Sequence, residues 1–98
     1  MLNISKSPLA LKDAQDIWVY TYHQWGETQA NAYLQGLDDT IRQLAQYPAT
    51  GISINEVRQG YRRCRYKSHL IIYQASETTL DIMRILHGRM DITRHPLQ

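Results

Sequence analysis

The residues best suited to chemistry gather near the end of this 98-residue chain, in Leu80-Asp-Ile-Met-Arg-Ile-Leu-His-Gly-Arg-Met-Asp91. There an apolar run interrupted by Arg84 leads directly into His87, Gly88, Arg89, Met90 and Asp91. Two reactions suit such a cluster. His87 could act as a general base for 2′-hydroxyl attack in RNA cleavage, or ligate a metal with Asp91 or His95. Neither set is complete. His87 and Asp91 have i, i+4 spacing, but Gly88 breaks a helix between them. No further His or Cys pair supplies the remaining ligands. A hydrogen-bonded histidine closing a strand is the simpler reading. No glycine-rich phosphate loop, serine nucleophile elbow or paired carboxylate site is apparent, so no catalytic residue, metal or cofactor is assigned.

Recognition is the alternative to catalysis. Side chains alternate along a strand, so in Tyr61 to Tyr66 Arg63 and Arg65 share one side while Arg62, Cys64 and Tyr66 share the other. With Cys64 toward the core, Arg63 and Arg65 lie on an open face. In Leu80 to His87 the same alternation turns Met83 and Ile85 inward and puts Arg84 on the open face beside Ile82 and Leu86. Three arginines then converge, a surface suited to an amphipathic acidic peptide and also to RNA phosphates. The plainer reading pairs Arg84 with Asp81 or Glu77 at the sheet rim. His69 and Tyr73 share one side of their strand and are as consistent with packing at the core's edge as with function. The helically spaced Trp18, Tyr22 and Trp25 read as core or a hairpin seam rather than a base-stacking platform.

The elements that must position these residues follow from periodicity. Leu2 and Ile4 alternate with Asn3 and Ser5 as in a half-buried strand, and Ser7-Pro8 supplies an N-cap and first helical residue. Leu11, Ala14, Ile17, Trp18, Thr21, Tyr22 and Trp25 mark one helical face, ended by Gly26 as a left-handed cap. A second stripe through Ala30, Tyr33, Leu34, Leu37, Ile41, Leu44 and Ala45 predicts a helix from about Glu27 to Tyr47, stopped by Pro48. The short link predicts an antiparallel helical hairpin, with Gly36 allowing the axes to approach. Ala49 to Gly60 reads as a loop holding one short turn. Strands are expected over Tyr61 to Tyr66, His69 to Ala75 and Leu80 to His87, separated by Lys67-Ser68 and Ser76 to Thr79. The expected class is α+β, with order β-α-α-β-β-β, helices on one face and the other left for partners. Residues 88–98 are expected to form a partly mobile tail.

Length allows one domain, residues 1–98. The net charge of +2 conceals an asymmetry: up to Val57 three basic residues face six acidic ones, leaving −3, whereas from Arg58 eight face three, leaving +5. A basic second half suggests an anionic partner. The single Cys64 can build neither a disulfide framework nor a zinc site and reads as a small buried hydrophobe. The lack of a long apolar run predicts a cytoplasmic protein without a membrane partner.

Four segments together resemble the ParE branch of the RelE/ParE toxin superfamily: Tyr22-His-Gln-Trp-Gly26, Gly60-Tyr-Arg-Arg63, Ser68-His-Leu-Ile-Ile-Tyr73 and Arg84-Ile-Leu-His-Gly-Arg-Met-Asp91. The similarity spans nearly the whole chain. It implies the toxin of a bacterial type II toxin–antitoxin module that inhibits DNA gyrase, has no catalysis of its own and is neutralised by a ParD-like antitoxin. Arg63, Arg65 and Arg84 are the expected antitoxin contacts. His87, Gly88, Arg89, Met90 and Asp91 form the family motif or target contact. Direct nucleic-acid binding is not expected as the main role, and a homodimer is left open for the free toxin. The competing RelE type is a ribosome-dependent mRNA endonuclease that uses Lys, Arg and a C-terminal Tyr. Here Ala49 to Gly60 contains no Lys and only Arg58, no Tyr or Phe follows Tyr73, and Arg89 alone resembles one of the RelE-type arginines. An inactive relic that only binds antitoxin is the third alternative.

Overall fold

A computed structural model describes residues 1–90 and 92–97. Strand β1 (Asn3–Lys6) leads through Ser7 into α1 (Pro8–Trp25). The Ser7 hydroxyl accepts from Ala10 N at 3.0 Å and donates to Met83 O at 2.7 Å, so the cap also binds the helix to the sheet. Gly26 has φ 92° and ψ 176° rather than the expected left-handed helical values. That region is open essentially to glycine alone. Its N–H donates to Tyr22 O and its carbonyl accepts from Ala30 N, so one residue ends α1 and begins α2 (Glu27–Gln46).

After a 3₁₀ turn at Pro48–Thr50 come β2 (Ile52–Ser53), β3 (Arg62–Tyr66), β4 (His69–Ala75) and β5 (Thr79–His87), then a second 3₁₀ turn at Ile92–Arg94. The sheet order is β1-β5-β4-β3-β2, with β1 parallel to β5 and the remaining pairs antiparallel. The α+β class and the β-α-α-β-β-β order hold, with the two-residue β2 added. Two residues are too few to show a period, which hid this strand within the expected loop.

The helical hairpin covers one face of the sheet, where Ile17, Leu37, Ile41 and Leu44 meet Ile71, Tyr73, Leu80, Ile82 and Ile85. Gly36 serves a different approach from the one expected. A Cβ there would lie 2.9 Å from Tyr66 Cζ, so it makes room for β3 rather than for α1. The second face is not open. Ile54, Tyr61, Leu70, Ile72, Leu86 and Leu97 form a second apolar cluster there, joined by Val57, Met83 and Ile92. The 54–61 loop and the tail thus cover a surface expected to await a partner.

A β-bulge accounts for the misplaced faces in β5. Tyr73 pairs with Ile82 and Ile72 with Arg84, leaving Met83 as an extra residue. Ile82 therefore turns toward the helices and Met83 toward the second cluster, the reverse of the expectation, while Ile85 keeps its inward place. Beyond Lys6, β5 has no strand on its β1 side, and α1 supplies the missing acceptor. Asp13 Oδ2 accepts from Ile85 N at 2.9 Å, and the Asp13 carboxylate takes Arg84 Nε at 2.7 Å and Nη2 at 3.0 Å. Arg84 Nη1 donates to Pro96 O, bringing the tail to the same edge.

Candidate functional site

The turn between β3 and β4, the end of β5 and the hairpin enclose a groove. Gly88 N donates to Ser68 O at 2.7 Å, binding the chain after β5 to the Lys67-Ser68 turn. Lys67 has φ 49°, a left-handed conformation unusual for a side chain of its size. Its ammonium lies 5.6 Å from the ring centres of both Tyr33 and Tyr66, a cation–π arrangement that restrains its position.

One compartment, of about 740 Å³, has walls that include Tyr20, Trp25, Tyr33, His69, His87 and Met90. A second, of about 490 Å³, is lined by Arg65, Lys67, Ser68, His87, Gly88 and Arg89. They share Lys67, Ser68 and His87. No carboxylate among the described residues lines the second. Arg65 packs over Gly88, where an added Cβ would lie 2.9 Å from Nη1, and donates to Lys67 O at 3.1 Å.

Both histidines are held by neighbours. His87 Nδ1 accepts from Arg89 N at 3.1 Å, which leaves Nε2 to carry the proton of the neutral ring. Burial pushes the Tyr33 hydroxyl above its ordinary value, and its oxygen lies 2.7 Å from His69 Nδ1 in a hydrogen bond whose donor is set by the imidazole tautomer. The two imidazoles meet edge to face at 5.4 Å. Burial, followed by His87, pushes His69 below its ordinary value of 6.5, with Asp13 opposing. An unfolded chain therefore takes up a proton at His69 before the folded one does. The stability linked to His69 is complete above about pH 6.5 and falls as pH drops below it. The melting temperature of the parent should fall more steeply between pH 6.5 and 5 than that of His69→Gln. Parallel curves would remove His69 as the source.

The expected site residues separate into three places. Arg65 joins His87, Gly88, Arg89 and Met90 around the groove. Arg63 lies on the second face, paired with Ile72 and half-exposed, and no hydrogen bond or ion pair holds its side chain among the described residues. Arg84 shares Arg63's row across Ile72, but its guanidinium meets this chain's own Asp13 instead of standing ready for a partner, and neither Asp81 nor Glu77 is the acid it pairs with. Asp91 lies outside the described residues. Trp18 fits the expected hairpin seam, donating from Nε1 to Asn31 at 2.9 Å, and Tyr22 stacks on it. Trp25 does not: it is 73% exposed at the groove. Sequence reasoning passed over Lys67 and Tyr33. The two-residue link between strands was the one signal for Lys67, and Tyr33 was absorbed into the apolar stripe of α2. Cys64 is half-buried against the hairpin, and burial pushes its thiol up, consistent with a packing role.

The family model for the ParE toxin of the parDE type II toxin–antitoxin system matches residues 4–92. This chain belongs to the ParE toxin family. Toxin ParE1 of Mycobacterium tuberculosis is 40% identical over 90 residues, covering 91% of this chain and 92% of that protein. Toxin ParE1 of Caulobacter vibrioides is 37% identical over 86 residues, covering 88% of each. The fold is also that of a solved chain from the chromosomal ParDE system of P. aeruginosa, with TM-score 0.77 at 17% identity over 89% of this chain and 96% of that one. The resemblance read from the four segments is thus confirmed, and the ParE match runs from β1 through the His87–Met90 turn. No helix among the described residues is long and apolar enough to cross a membrane.

Proposed function

We propose that this ParE-family toxin acts in the cytoplasm by inhibiting DNA gyrase without catalysis of its own, and that a ParD-like antitoxin neutralises it. The observation that carries the reading is the ParE family match over residues 4–92, which includes the whole β5-to-turn motif. The groove is consistent with recognition: His87 Nδ1 is engaged by its own backbone and His69 by Tyr33, whereas Arg89 and Met90 are exposed at the rim. His87 to Met90 are the proposed target contacts, and Asp91 is proposed with them from the motif alone. An acidic and apolar antitoxin segment orders on the toxin, its carboxylates meeting Arg63 and the outer donors of Arg65. Arg84 acts in this reading by fixing α1 and the tail to β5 rather than by meeting the segment.

Purified toxin should abolish supercoiling by gyrase or accumulate gyrase-linked cleaved DNA. A ParD-like antitoxin should reverse the effect, and Arg63→Glu should need about tenfold more antitoxin for the same rescue, as expected when one charged contact is lost. Unaffected gyrase together with codon-site mRNA cleavage on ribosomes would establish the nuclease alternative. Expression without growth arrest would establish the relic.

A further inference from the structure

Three exposed large apolar side chains stand around a single compartment: Trp25 at 73%, Tyr20 at 66% and Met90 at 45% exposure. Isolated exposed aromatics need no explanation, but two rings and a thioether beside a cationic pocket make a surface of mixed chemistry. The adjoining compartment carries Arg65, Lys67 and Arg89, with Ser68 and His87 between the two. A side-chain carboxylate brings one negative charge and two oxygens. A phosphate group brings between one and two, with three or two non-bridging oxygens for the guanidinium forks.

Lys67 adds a separate observation. A left-handed conformation costs a residue with a Cβ about 1 kcal/mol, and glycine would fill the turn without it. Glycine would also remove the ammonium that Tyr33 and Tyr66 hold at the junction of the two compartments. The positive φ belongs to the two-residue turn itself, so it is the ammonium held at this junction that bears on a ligand. Gly88 completes the pocket floor, because any larger residue would displace the Arg65 guanidinium.

We infer that the two compartments together bind one nucleotide unit, its phosphate against Arg65, Lys67 and Arg89 and its base against Trp25 and Tyr20. Base stacking on exposed aromatic rings beside a cationic channel is how proteins hold single nucleotide units without reading sequence. The unit is either a free nucleotide, carrying a phosphate monoester, or part of an unpaired strand, carrying a diester. Binding alone is inferred, with no bond made or broken. The inference does not depend on the gyrase reading, because supercoiling is measured in a separate reaction.

Calorimetry on the full chain with inorganic phosphate, AMP and pentathymidylate lacking terminal phosphates tests it. AMP or pentathymidylate should bind more tightly than inorganic phosphate, and the tighter of the two identifies the monoester or the strand as the source. Lys67→Gly, which relieves the backbone and should fold at least as well, should weaken that ligand about tenfold, the effect of losing one charge-assisted contact. Trp25→Ala should weaken it about fivefold or more, the loss of one stacked base, while leaving inorganic phosphate unchanged. Failure of both ligands to bind, or equal binding by the parent, Lys67→Gly and Trp25→Ala, would overturn the inference.

Discussion

Asp13→Ala is expected to destabilise the protein by about 3 kcal/mol or more, the usual result of leaving one partner of a buried ion pair unpaired. The side chains of Arg84 and Asp13 are only 11% and 14% exposed, which separates this pair from surface bridges of little worth. Removing the carboxylate leaves Arg84 Nε, Nη2 and the Ile85 N–H without their acceptor at once. In a domain of this size that corresponds to a melting temperature lower by roughly 12 °C or more. Replacing both residues by apolar ones, Asp13→Leu with Arg84→Met, should cost less than Asp13→Ala alone, because no charge is stranded. A single-variant loss below about 1 kcal/mol in urea melts would show that the edge does not depend on the pair.

Gly51→Ala should cost about 3 kcal/mol by a different route. Its φ of −72° suits any residue, so the effect is steric. A Cβ would lie 2.7 Å from Arg63 O and 2.8 Å from Tyr73 Cε1, and the backbone of β3 cannot step aside. Tyr73 is fully buried, and its hydroxyl donates to Pro48 O at 2.6 Å and accepts from Gly51 N at 2.9 Å. Displacing the ring breaks both bonds inside the core, adding the cost of unsatisfied buried groups. Adding Tyr73→Phe should recover part of the lost melting temperature by making room. A Gly51→Ala protein as stable as the parent would mean that the 48–51 turn shifts without penalty.

Periodicity made most of the architecture legible. Two uninterrupted stripes at helical spacing placed α1 and α2 within a residue or two, and β-branched and aromatic runs placed β3, β4 and β5. It failed where one residue breaks a period. Met83 is inserted into β5, so strict alternation turns Ile82 to the wrong side and leaves Arg84 without its true neighbour. Nothing in the spacing between Asp13 and Arg84 announces their contact, because α1 reaches the sheet edge through tertiary packing. The groove was half legible. His87 to Met90 stood out by composition, but Lys67 gains its place from a backbone conformation, and Trp25 was assigned to a seam that ends one turn before it. The covered second face was missed because Ile54, Ile92 and Leu97 lie in segments with no period to read.

The parallel pairing of β1 with β5 joins Asn3–Lys6 to Thr79–Ile82, so the first strand pairs with one made much later in the chain. On the ribosome the helical hairpin can form early, whereas β1 must wait until β5 has emerged, since distant pairings form late. Arg84 reaches Asp13 at the same moment, and the groove acquires His87 to Met90 only then. A nascent chain that has not yet released β5 therefore carries no assembled groove, and products truncated before it lack both the sheet's central pairing and the groove wall that His87 to Met90 supply.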